Sequence, residues 1–340
     1  MNRNTKKLLY YFITKVSLIP LNLWIISTLV FLLLRVAPGD PVDAILGSGA
    51  DQSARELLRN KLGLDDSLPV QYIDFLKNLI HLNFGESLSN QEPVIKIIGN
   101  SLPASIELGI LSVFIAILIG FPIGFLGLKN KNKKLDYFSR IFGISTYAIP
   151  PFWGAMMAQL FFSTIIRLFP IGGRLPIYQD HQSITGFLLF DCILEGDFFA
   201  LKGAIFHLLL PSLTLGFLLS GIFSRSFRLN LEKSLDSDYV EAAICRGISE
   251  KNIMLKYALP NALLPILTIS GVTIASLAGG ALLIEVTFSW PGIALRLHEA
   301  INQRDYNLVQ GIVIVTSTLI IFLNLVVDIL IGLFDPRIEY

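Results

Sequence analysis

The sequence predicts an all-α integral membrane protein with six transmembrane helices and a small segment outside the membrane after the first. Three observations carry that expectation. Apolar residues make up 53% of the 340 and charged residues only 16%, against about 25% charged in an ordinary soluble domain. The apolar residues gather in runs of roughly 20 or more, the length that crosses the hydrocarbon core as a helix. Lys and Arg gather in alternate connections between those runs, which assigns each connection a side.

The runs lie at 18–36, 103–128, 142–169, 203–223, 262–284 and 309–334. Lipid satisfies no backbone polar group, so each run is expected to be helical. Pro20, Pro122, Pro150, Pro151, Pro211 and Pro265 stand inside them. Proline breaks a helix in water, but neighbouring helices in a bundle re-satisfy the freed carbonyls. The first run follows Arg3, Lys6, Lys7 and Lys15 and passes straight into Arg35-Val-Ala-Pro-Gly-Asp40. It is long for the apolar core of a signal peptide and no small-x-small cleavage pattern follows, so it reads as an uncleaved signal anchor.

The tail carries four basic residues, 129–140 carries Lys129, Lys131, Lys133, Lys134 and Arg140, and 225–259 carries Arg225, Arg228, Lys233, Arg246, Lys251 and Lys256. The alternate connections are poorer. Five basic residues face nine acidic ones in 40–102, Arg174 and Lys202 occur in 170–202, and Arg296 and Arg304 in 285–308. Both termini are therefore expected in the cytoplasm. The chain divides into a tail and first helix (1–36), an extracytoplasmic segment (37–102), a five-helix core (103–335) holding a long cytoplasmic loop (225–260), and a C-terminal tail (336–340).

The composition also excludes functions. Net charge is +1, which supplies no basic field for nucleic acid. Cys192 and Cys245 fall on opposite sides of the expected topology, and His81, His181, His207 and His298 lack the close spacing of zinc ligands, so no metal or cofactor is expected. There is no phosphate-binding G-x-x-x-x-G-K-[ST] loop and no Gly-Lys dipeptide at all. A G-x-S-x-G hydrolase elbow is missing as well, so the chain reads as a non-enzyme.

The cytoplasmic loop reads as two short helices with a turn at Gly247. Asp238 is placed to cap the first, with Glu241 three residues on to return the bond. Gly247 can take the left-handed conformation that ends a helix. Ser249 can cap the second, which would run toward Lys256 at its dipole-favoured end. Ala242 and Ala243 are small enough for another surface to approach closely. On physics alone, a solvated amphipathic connection explains the same pattern equally well.

Glu241-Ala242-Ala243, then Gly247, then Leu259-Pro260 resembles the "EAA" loop of binding-protein-dependent ABC importer permeases in both identity and spacing. The resemblance implies the type I ABC importer permease fold. It also implies that Glu241, Ala242, Ala243 and Gly247 dock on an ATPase, with Tyr239 and Arg246 as flanking contacts. Further stretches resemble the dipeptide and oligopeptide branch, B-type subunit. They are Leu34-Arg-Val-Ala-Pro-Gly-Asp-Pro41, Phe84-Gly-Glu-Ser-Leu88, Leu102-Pro-Ala-Ser-Ile-Glu-Leu108, Phe288-Ser-Trp-Pro-Gly292 with Arg304-Asp-Tyr306, and Asp335-Pro-Arg337. Two ATP-binding subunits, a second homologous permease and an extracytoplasmic solute-binding protein are implied partners, beside membrane lipid. The implied cargo is a peptide or similar small solute.

Some of these stretches have simpler readings. Residues 38–41 form a helix-stopping turn by composition. Trp290 reads first as an interfacial anchor, and Phe288–Gly292 as an outer loop within reach of a binding protein. Glu107, in the first turn of the second span, and Asp328, in the sixth, are pathway candidates because intramembrane carboxylates are costly. Asn324 and Asp328 lie on one helical face, where helix–helix hydrogen bonding also explains them. A secondary transporter would show inverted repeats or midplane acidic groups, and an intramembrane enzyme would show a nucleophile with its base. Neither signature is present in the sequence.

Overall fold

The computed structural model describes residues 3–36, 42, 46, 51–61, 63–129, 133–176, 184–278 and 281–334. The turn at 38–41, His181, Asp335-Pro336-Arg337 and the tail at 336–340 lie outside the described residues. Every described element is helical, and the one extended pairing among the described residues is a bridge between Glu86 and Pro93. In chain order the elements begin with α1 (Arg3–Val36), α2 (Gln52–Lys61), α3 (Leu68–Ile80), α4 (Val94–Lys129) and α5 (Lys133–Ala148). Then come α6 (Pro151–Ala158) with a π-helical extension (Gln159–Ile165), α7 (Leu188–Glu195), α8 (Phe198–Leu235) and α9 (Asp238–Cys245). A turn (Glu250–Asn252) and a π stretch (Ile253–Ala258) lead into α10 (Leu259–Ala278), followed by α11 (Leu282–Thr287), α12 (Ile293–Asn302) and α13 (Tyr306–Phe334).

Five helices among the described residues are long and apolar enough to cross a membrane: Phe12–Val36, Val94–Leu128, Phe198–Leu235, Glu250–Leu277 and Tyr306–Ile329. The expected span at 142–169 is divided. Pro150 and Pro151 withhold two consecutive N–H donors, and a residue before proline is driven out of the helical region. Pro150 accordingly sits extended at ψ 129° and Pro151 restarts the helix at its first position, where a missing donor costs nothing.

Two other boundaries differ from expectation. The helix expected at 203–223 runs to Leu235, so Arg225, Arg228 and Lys233 belong to it and not to the loop. Phe227 and Leu231 keep a buried apolar stripe going past those charges. The N-terminus of α8 is capped by Asp197, whose carboxylate accepts from the amides of Phe199 (3.1 Å) and Ala200 (2.9 Å). The span expected at 262–284 ends at Ala278, which places Ile284 and Glu285 on the separate α11.

α4 and α8 are the most extensively packed pair. They run parallel, and small residues let their backbones meet. A Cβ on Gly120 would lie 2.6 Å from the Ser220 carbonyl, one on Gly124 2.7 Å from that of Ser224, and one on Gly216 2.8 Å from that of Ser112. This is how helices associate where lipid removes the hydrophobic drive between them. Phe121 and Phe227 stack at 4.8 Å and seal the same seam. α1 lies along α13, joined at one end by Lys15 to Asp328 (3.2 Å) and at the other by the Arg35 guanidinium over the Tyr306 ring (5.5 Å). The described part of 37–102 folds back on these two helices. Tyr72 and Phe75 of α3 pack on Phe31, and the Asp305 carboxylate accepts from the Ser87 hydroxyl (2.5 Å), the Ser89 amide (3.2 Å) and the Leu308 amide (3.1 Å).

Candidate functional site

α9 lies at the end of the bundle where α8 finishes. It begins one residue earlier than expected, because Ser237 and not Asp238 occupies the cap position. The Ser237 hydroxyl turns back to the Ser234 carbonyl (2.5 Å) and leaves the start of α9 without a side-chain cap. Asp238 and Glu241 instead fill the first turn, where negative charge meets the positive helix end. The other end matches expectation. Gly247 has φ +72°, and no atom lies within 4 Å of where a methyl group would sit, so conformation alone demands glycine there. Its amide donates to Ile244 O (2.9 Å) and that of Ile248 to Ala243 O (3.2 Å), the paired bonds of a left-handed helix termination.

The second short helix expected to end near Lys256 does not end there. The chain continues through the π stretch into α10 as one rod. Val240, Ala243 and Ile253 are buried together, with Tyr239, Ile248 and Tyr257 packed around them. The Ser234 hydroxyl donates to the Ala258 carbonyl (3.0 Å). Its single proton is thereby used, so the Tyr239 hydroxyl donates to Ser234 Oγ (2.5 Å). α9 is thus tied both to α8 and to the start of α10.

Of the residues carried over from the resemblance, Glu241, Ala242, Arg246 and Gly247 are exposed. Ala243 is 2% exposed and faces inward onto Ile253, and Tyr239 is a tether beneath the helix. The free face also carries Ile244, 59% exposed, and Cys245. Sequence reasoning missed both, although 241, 244 and 245 share one side of a 3.6-residue repeat while 240 and 243 share the other.

The opposite end of the bundle holds a closure that the sequence did not reveal. Glu285 is fully buried. One carboxylate oxygen accepts from the Ser105 hydroxyl (2.6 Å), and the other from the amides of Ala294 (3.0 Å) and Leu295 (2.9 Å). Ser105 Oγ in turn accepts from the Ile293 amide (2.8 Å), so the first three amides of α12 are satisfied by two side chains from elsewhere. Trp290 is buried too, with its indole N–H on the Ala104 carbonyl (2.9 Å), and Phe288 has no exposed surface. Neither an interfacial anchor nor an exposed outer loop describes Phe288–Gly292, because these side chains fill the core between α4, α8 and α11.

Glu107 sits well inside α4 and not in its first turn. Its carboxylate accepts from Arg174 Nη2 (2.6 Å) and the Leu189 amide (3.1 Å), and the same Arg174 nitrogen donates to Gly186 O (2.8 Å). Asp328 is occupied by Lys15. Both carboxylates are joints between segments of this chain. His207 likewise bonds the Gly172 carbonyl (3.0 Å) within the closure. Among the described residues no group of His, Cys, Asp and Glu has the geometry to hold a metal ion.

The chain is similar along most of its length to known transport proteins. It is 35% identical over 316 residues to the di/tripeptide transport system permease protein of Pseudomonas aeruginosa, covering 93% of this chain and 94% of that one. It is 36% identical over 314 residues to the probable D,D-dipeptide transport system permease protein of Escherichia coli, covering 92% of each. It is 33% identical over 316 residues to the oligopeptide transport system permease protein of Bacillus subtilis, covering 93% and 94%. Residues 8–109 match the N-terminal model of binding-protein-dependent transport system membrane components, and residues 112–340 match the model of the inner membrane component itself. The chain therefore belongs to the family of inner membrane components of binding-protein-dependent transport systems.

Proposed function

We propose that this chain is the permease subunit of an ATP-driven importer of peptides or similar small solutes, and that α9 is the helix through which an ATPase moves it. The observation that carries the reading is the rigid mounting of α9. Its buried side is fastened to α8 and α10, while Glu241, Ala242, Ile244 and Arg246 stand free. A motor with two states biases a membrane helix only through contacts that differ between those states. A tethered helix transmits such a difference and a loose loop absorbs it.

The partners in this reading are two ATP-binding subunits, a second homologous permease that shares the pathway, and an extracytoplasmic binding protein. The α9 end faces the cytoplasm, which is supported by Lys134, Arg140, Arg225, Arg228 and Lys233 lying toward that end of their helices. Residues 37–102 then lie outside. The sixth crossing is the proline-broken pair α5 and α6 with its π extension. Residues 133–165 can cover about 50 Å, and Gln159 Nε2 reaches Thr287 O (3.2 Å) at the far closure. Short peptides as cargo rest on the names of the relatives. Glu107 and Asp328 are engaged in ion pairs, which favours anchoring over lining a pathway.

The test is purification with co-purifying subunits. ATPase activity is expected to accompany the chain, and Glu241→Ala and Gly247→Val are expected to lose the ATPase while the chain still inserts. Uptake into vesicles that follows a proton gradient without ATP would refute the reading.

A further inference from the structure

A second site lies at the α9 end of the bundle, between α5 and α8. A cavity of about 330 Å³ is lined there by Ser139, Arg140, Gly143, Ile144, Arg225, Arg228 and Leu229. Charge within it is unbalanced. Asp136 meets both Arg228 (2.7 Å) and Arg140 (3.0 Å), and Glu232 stands 3.9 Å from Arg228, whereas Arg225 has no carboxylate partner among the described residues. Two buried donors are also unspent. Ser139 is 4% exposed and Arg228 8%, yet Ser139 Oγ and Arg228 Nε have no hydrogen-bond partner. A buried polar atom left unpaired costs about 1–3 kcal/mol. Asp136 Oδ1, 2.7 Å from Arg228 Nη2, is also without a hydrogen bond, but it reaches neither Ser139 Oγ nor Arg228 Nε nor Arg225, so these donors stay open to an acceptor from outside the chain.

The rim identifies the acceptor's carrier. Both helices change from charged to apolar at this level. In α5 the sequence passes from Arg140 into Ile141-Phe142-Gly143-Ile144, and in α8 apolar residues precede Ser224-Arg225. Ile144, Leu229, Phe138 and Tyr137 are each more than half exposed on the flanks. A free anion leaves those side chains in contact with nothing. An acidic protein segment leaves them bare as well. A phospholipid presents a phosphate and hydrocarbon together, and basic pockets between transmembrane helices match that pair.

We propose that this pocket holds the headgroup phosphate of an anionic phospholipid, with Arg140, Arg225 and Arg228 as its cations, Ser139 Oγ as an added donor, and the acyl chains along Ile144 and Leu229. The site pins the α5–α8 seam just before α9 and does not depend on the identity of the transported solute.

The experiment uses the full chain with its co-purifying subunits in nanodiscs of phosphatidylcholine doped with phosphatidylglycerol, followed by native mass spectrometry of retained lipid. The wild type is expected to retain phosphatidylglycerol selectively. Arg140→Gln/Arg225→Gln is expected to bind it about thirtyfold more weakly, on the usual contribution of each basic residue near a charged bilayer. Ser139→Ala is expected to weaken retention by a smaller factor. Lys96→Gln/Lys202→Gln removes equal charge at the opposite end and is expected to change nothing. Equal loss in that control overturns the proposal. So does displacement of the lipid by inorganic phosphate, which would make the site one for a free anion, or cross-linking of position 225 to a partner subunit in place of lipid. Both arginine positions are exposed, so the variants fold and the result is readable in each case.

Discussion

The Ser105 hydroxyl donates to the Glu285 carboxylate at 2.6 Å, a bond that spans 180 positions of sequence and joins α4 to α11. The same carboxylate holds the start of α12, and Gly292 has no room for a side chain because Glu285 and Ser105 occupy the space. Glu285→Ala orphans the buried amide of Ala294 and the half-buried amide of Leu295. That is expected to destabilise the chain by roughly 2–5 kcal/mol, read as a lowered midpoint in thermal unfolding in detergent. Glu285→Gln keeps one acceptor oxygen and is expected to lose less. Equal midpoints for the two variants would contradict the capping role.

Gly247 and Tyr239 test the mounting of α9 separately. Gly247→Ala forces a side chain into the left-handed region at a cost of about 1–2 kcal/mol, and Gly247→Asn is expected to cost less. Tyr239→Phe removes the donor to Ser234 and is expected to cost about 1 kcal/mol. In the assembled transporter Tyr239→Phe is expected to lower transport per ATP hydrolysed more than it lowers ATPase binding, whereas Gly247→Ala is expected to lower both. Ile244→Asp acts on the free face and is expected to weaken ATPase binding itself.

Two glycines on either side of α8 separate packing from propensity. Gly120→Ala drives a methyl against the Ser220 carbonyl and Phe223 Cβ (2.9 Å), an overpacking cost of about 1–3 kcal/mol. Gly143→Ala meets its nearest neighbour, Gly221 O, at an ordinary 3.5 Å. It is expected to be neutral or to stabilise by up to about 1 kcal/mol through helix propensity. Denaturation midpoints of the two variants should therefore differ, with only that of Gly120→Ala falling.

Asp191 makes the segment around 184–191 acid-sensitive. Burial would raise its carboxyl, but the Thr185 hydroxyl and the amides of Thr185, Ile184 and Gly186 outweigh it and hold the group below the usual carboxylate range. A depressed value contributes stability that is fully present above the unfolded value near about 3.9 and is lost as pH falls through the folded one. Protection of the Ile184, Thr185 and Gly186 amides from hydrogen exchange, taken relative to the intrinsic rate at each pH, is expected to be high at neutral pH and to fall in acid below about pH 4. Asp191→Asn is expected to show lower protection at neutral pH and to lose little more of it in acid.

That this chain is a helical membrane protein, which of its connections are basic, and where a short helix must end were all legible along the sequence, because composition, run length and the Gly247 turn are local properties. The family resemblance was legible too, through Glu241-Ala242-Ala243 and Gly247, whose spacing needs no contact map to read. Which of those residues are free was settled by folding. Ala243 turns inward while Ile244 faces out, since burial depends on the Ile253 surface that closes beneath α9. Folding also makes Glu107, Asp328 and Trp290 fastenings within the chain, for the Arg174, Lys15 and Ala104 that satisfy them lie far away in sequence. A buried polar group takes its role from its partner, and partners brought together by folding leave no periodic trace along the chain.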